Sequence, residues 1–147
     1  MAKTFTPPFV QAAKIGAAAV TAGNTSSQGG GTIGTDIFLV ISAGANDSFI
    51  DEIVLSPTAT VNTNTTATVL RLFISSVSSG ATTSANTWLF AEITLPPVSA
   101  GASSLAIGPL IFPVKKMLPT GFALLVTNHV APAANSHWKV IAFGGDY

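Results

Sequence analysis

The side chains able to do chemistry are few: His129, His137, Asp36, Asp47, Asp51, Glu52, Glu92 and Asp146 carry the groups that general acid–base catalysis would draw on. Their spacing matches no catalytic pattern. There is no Gly-x-Ser-x-Gly elbow, no His-Glu-x-x-His pair and no Gly-x-x-x-x-Gly-Lys phosphate loop. Asp51 and Glu52 are adjacent, and neighbours in a strand point to opposite faces, so they cannot work as an acid–base pair unless the strand is bulged there. His129 and His137 bracket one loop and could meet at a symmetry axis around a metal, although loop imidazoles more often make ordinary hydrogen bonds. The chain has no cysteine, which removes both disulfides and thiolate metal sites. The expectation is a protein with no catalytic residues, no cofactor and no metal, hence not an enzyme.

Composition points to an assembled subunit. The 147 residues suit one domain that buries roughly 70% of its unfolded surface. Only 8% are charged while 48% are apolar, and mean hydropathy is +0.55. Disordered chains show the opposite balance. Six basic residues meet six acidic ones, with no basic cluster beyond Lys115-Lys116, so the cationic stripe that a phosphate backbone needs is missing and nucleic acid is not an expected partner. Few charges and no net charge favour self-association. Pro7-Pro8 and the short apolar run Ile15 to Val20 do not make a secretion signal, so a cytoplasmic origin is expected. No stretch approaches the ~18 apolar residues of a membrane span, and no membrane partner is expected. Asn24, Asn46 and Asn64 match the N-glycosylation pattern but read as turn residues.

The elements read as strands. Val69-Leu70-Arg71-Leu72-Phe73-Ile74 is apolar on both parities with one charge, a strand with a core on one face and a second cover on the other. Strands are expected at 36–43, 49–56 and 67–76, the first two joined by Gly44-Ala45-Asn46-Asp47 as a hairpin-like connection. Lys14 to Thr21 reads as a strand despite its alanines, and Gly23 to Thr35 as a flexible surface loop. In Trp88 to Leu95, alternation sets Leu89, Ala91, Ile93 and Leu95 on one face and Trp88, Phe90 and Glu92 on the other. The two outward aromatics suit an interface or a second packed sheet equally. Pro109 and Pro113 confine Leu110 to Val114 to an edge or a loop, and Lys115 to Gly121 reads as a turn. Phe122 to Asn128 and Trp138 to Phe143 are strands, the latter apolar on both faces and so expected to be covered on both. Gly144-Gly145-Asp146-Tyr147 is expected to be ordered, its glycines turning the end back at positive φ. The fold class is all-β, a single-domain β-sandwich or jelly roll of about eight short antiparallel strands. That domain spans 14–147, behind an extended, proline-stiffened arm over 1–13.

Lys14-Ile15-Gly16 through Thr35 to Ala43, Ala45 to Ile53, Val69 to Ile74, Leu118 to Leu124 and the terminal Val140-Ile141-Ala142-Phe143-Gly144-Gly145-Asp146-Tyr147 carry a family likeness over most of the chain. The sequence resembles small structural proteins of tailed bacteriophages, the capsid decoration or cement proteins of β-sandwich or jelly-roll form. The resemblance implies a non-enzymatic subunit on the virion surface, made in the host cytoplasm. It implies two partners, the major capsid protein and further copies of itself, most commonly as a homotrimer. Phe5, Pro7, Pro8, Phe9 and Val10 of the arm, with Trp88 and Phe90, are the expected capsid or subunit contacts. The alternative is a head-fibre or tail-associated module that binds host glycan, with Trp88 and Trp138 stacking on sugar rings.

Overall fold

A computed structural model describes residues 12–59, 63–101, 104–105 and 108–147, and every regular element among them is a β-strand. Eight strands carry the architecture: β1 Ala12–Val20, β2 Phe38–Ser42, β3 Ser48–Ala59, β4 Thr68–Ser75, β5 Thr87–Leu95, β6 Leu110–Leu118, β7 Ala123–Asn128 and β8 Ser136–Asp146. They form two four-stranded antiparallel sheets, ordered β1-β8-β3-β6 and β2-β7-β4-β5. Two interleaved Greek keys of this order make a jelly roll. Short ladders, Gly31–Thr32 with Ala81–Thr82 among them, trim the loops.

Alternation explains the core. Ile53, Leu55, Leu70, Leu72, Trp138 and Val140 face one another between the sheets with at most 2% of their surface exposed. β4, the strand of the Val69–Ile74 stretch, lies inside its sheet between β7 and β5. Its second face has the second cover expected of it. Phe73 packs with Ile37, Ala123 and Leu125 in a separate cluster flanked by Ile33 and Leu39. The segment that supplies Ile33 and Ile37 is therefore a tied cover, not the flexible loop that its glycines suggest. Asn24 Nδ2 donates to the Gly30 carbonyl at 3.0 Å and to Asp36 Oδ2 at 3.1 Å, and the Thr32 amide donates to Asp36 Oδ1 at 2.7 Å. The buried Asn24 is a structural cross-tie rather than a glycosylation acceptor.

Two connections differ from their sequence reading. Gly44 to Asp47 does not close a hairpin: β2 pairs with β7 while β3 pairs with β8 and β6, so the segment is a corner between sheets. Turn chemistry marks a reversal, but the partner of each strand is a non-local choice. Lys115 to Leu118 is not a turn either. β6 runs on to Leu118 past a register shift between Pro113 and Lys116, with Lys115 at φ 50°. Pro113 does lie on an edge strand, as expected. Pro57 sits within β3 because the β6 ladder ends at the Leu55–Leu110 pair, so that side of β3 needs no donor there.

Candidate interaction surface

Most acids singled out in the sequence serve the fold. Asp36 holds the loop cover, and Asp47 Oδ1 accepts the Thr120 amide at 2.6 Å. Arg71 is 8% exposed; its Nε donates to Glu92 Oε1 at 2.7 Å, and its Nη1 donates to the Thr25 carbonyl at 3.3 Å and to His129 Nδ1 at 3.0 Å. Because a guanidinium only donates, His129 Nδ1 is the acceptor and its ring proton sits on Nε2. His137 is held below its ordinary pKa by burial and then by the Lys139 charge. Among the described residues no three His, Cys, Asp or Glu side chains are grouped as metal ligands.

The bulge that alternation could not foresee does occur at Asp51. Phe143 faces Glu52 and Gly144 faces Ile50, leaving Asp51 as the extra residue. Ile50 and Ile53 are both buried, so Asp51 and Glu52 stand together on the outer side. Asp51 is ion-paired with Lys115, the residue bulged on the neighbouring strand.

The outer side of the β1-β8-β3-β6 sheet carries an apolar row across its full width, and a second row that Glu52 interrupts. Ala17, Ile141, Val54 and Ile111 form one row over all four strands, and Ile15, Phe143, Glu52 and Pro113 the next. Ile15 is 67% exposed and Ile111 58%. Trp138 to Phe143 is thus covered on its inner face alone among the described residues: Trp138, Val140 and Ala142 are buried, while Ile141 and Phe143 stay half-exposed. The other sheet has its loop cover and this one has none described. Four strands of about nine residues present roughly 600 Å², somewhat short of the ~800 Å² each partner gives to a standard interface.

A second apolar feature lies where β5 and β6 leave one lateral side of the sandwich open among the described residues. A cleft of about 470 Å³ is walled by Leu72, Phe90, Ala91, Ile93, Phe112 and Val114. Phe90 is there because β5 is bulged: Leu72 faces Ala91 and Phe73 faces Leu89, with Phe90 between them. The bulge corrects the faces read from alternation. Leu89 leaves the side of Ile93 and Leu95 and is 44% exposed. Trp88 pairs with Ile74, on the opposite side from Glu92, and its ring lies 6.2 Å from that of Phe122. Trp88 and Phe90 are 47% and 38% exposed, yet they belong to different surroundings. Phe5, Pro7, Pro8, Phe9 and Val10 lie outside the described residues, while Ala12 and Ala13, assigned to the arm, begin β1.

No family model, no curated protein and no solved structure matches this chain.

Proposed function

We propose that this chain is a structural virion subunit of a tailed bacteriophage, a decoration or cement protein that mounts on the outer shell between capsomers and stabilises it. The observation that carries the reading is the sheet face left uncovered among the described residues, with an apolar row from Ala17 to Ile111 and a second from Ile15 to Pro113 broken only by Glu52. A face of this kind is a contact surface awaiting its partner. Burying the exposed two-thirds of an isoleucine such as Ile15 contributes about 1–2 kcal/mol. A subunit that binds the assembled shell and not its loose parts stabilises it by linkage, repeated over many copies.

The resemblance set out above supports the same assignment, with the major capsid protein and a homotrimer of this chain as partners, and with no enzymatic activity. The glycan-binding alternative loses one of its two stacking residues, because Trp138 is 1% exposed at the centre of the core. Incubating purified protein with shells that lack it, then imaging by cryo-electron microscopy and heating the particles, tests the assignment. Ordered added density and a higher disruption temperature are expected; bare shells would overturn it.

A further inference from the structure

We propose that the β5–β6 cleft of one copy receives residues 1–11 of a second copy, so that subunits are joined by exchanged arms. The inference rests on reading the chain as a repeating subunit, and it assigns the contact between copies to a different surface from the sheet face.

The cleft is suited to an extended segment. β5 and β6 are both edge strands, with backbone groups on their outer sides that a further strand can pair with. The cleft volume of about 470 Å³ falls in the range of concave sites that engulf a ligand, about 300–1,000 Å³. The opposite side of the sandwich is closed: β1 packs so tightly on β2 that a Cβ at Gly16 would collide with the Val40 carbonyl.

The first eleven residues have the matching chemistry. Phe5 and Phe9 are four apart, so in an extended chain they share a side at a spacing of about 13 Å. Pro7 and Pro8 favour extension and reduce the entropy lost on docking. The segment has a span of up to about 36 Å. Ala12 starts β1, at the lateral side away from the cleft. To enter its own cleft the segment would have to reverse on leaving β1 and cross about three strand spacings, some 14 Å. Phe9-Val10-Gln11-Ala12 has no Gly, Asn, Asp or Ser to make that reversal. A segment that continues the line of β1 instead leaves its own sandwich, where a second copy can receive it. Arm and cleft are unlike surfaces, so the contact is head-to-tail, the kind that builds a ring such as a trimer when the rotation between copies closes.

The chain has no cysteine, which makes disulfide trapping clean. A variant carrying both F9C and T94C, Thr94 being part of the cleft lining, oxidised as full-length purified protein, is expected to give covalent dimers and trimers that neither single variant gives beyond a simple dimer. A link within one chain, seen as a monomer whose mobility changes on reduction, would overturn the exchange, and so would no link. As a second measurement, A91W fills the cleft and deletion of residues 2–11 removes the arm. Each should weaken self-association at least tenfold in sedimentation, with thermal melting showing that the fold survives. Association unchanged in both would also overturn the proposal. Copies that link through the F9C/T94C pair but leave shells bare would keep the arm exchange and remove the capsid assignment.

Discussion

Lys14 and Asp146 tie β1 to β8: Lys14 Nζ donates to Asp146 Oδ1 at 3.0 Å and to Oδ2 at 3.2 Å. Ser48 Oγ donates to the same carboxylate and accepts the Gly44 amide at 2.9 Å. First strand, last strand and the corner before β3 therefore meet at one acid.

That acid should make stability pH-dependent. The Ser48 hydroxyl first, and then Lys14, hold the Asp146 carboxyl below its ordinary 3.8. The folded state thus binds this proton less readily than the unfolded chain, so the contribution is whole above pH 3.8 and is lost as pH falls through the lower folded value. D146N is expected to melt below wild type at neutral pH, with the gap closing below about pH 4. A gap that stays constant on acidification would contradict the assignment.

Gly144 should not tolerate a methyl group. A Cβ there would run into the Phe49 carbonyl oxygen, which is backbone and has little room to move. G144A is expected to cost about 1–3 kcal/mol, several degrees in melting temperature for a domain of this size. Urea denaturation with an unchanged midpoint would disprove the crowding.

Trp138 offers a test of core packing against hydrogen bonding. Its ring is 1% exposed, and its Nε1 has no hydrogen-bond partner among the described residues. W138F keeps much of the volume and removes the unpaired donor, so it should cost less than about 1.5 kcal/mol. W138A leaves a cavity and should cost about 3–5 kcal/mol. Similar losses in the two variants would show that the indole nitrogen is satisfied.

The exposed sheet face should matter to assembly and not to folding. I15K with I111K changes residues that are more than half exposed, where substitutions usually stay within about 0.5 kcal/mol. Melting is expected to be nearly unchanged while occupancy on shells falls at least tenfold. Wild-type occupancy would show that this face is not the mounting surface.

Local chemistry alone placed most of the strands and the fold class. Leu124 and Val126 inward with Ala123, Leu125 and Thr127 outward, or Val20 and Trp138 on the buried parity, follow from side chains that alternate along a pleated backbone. Pro113 confined its segment to an edge or a loop because it has no amide hydrogen to donate, and the structure makes it an edge strand. The ordered terminus was also legible, but its reason was not: Gly144 and Gly145 are not among the positive-φ glycines, and the strand runs straight through them to Asp146. What Gly144 provides is room beside Phe49, which depends on a neighbour far along the chain. The same limit hid the bulges at Phe90 and Asp51, each of which turns every later side chain to the other face. Alternation has a period but no memory of its partner. Pairing across the sheets alone decided that Gly44 to Asp47 is a corner, that Phe90 opens into a cleft while Trp88 lies by Phe122, and that the face holding Ile15 and Ile111 is left uncovered among the described residues.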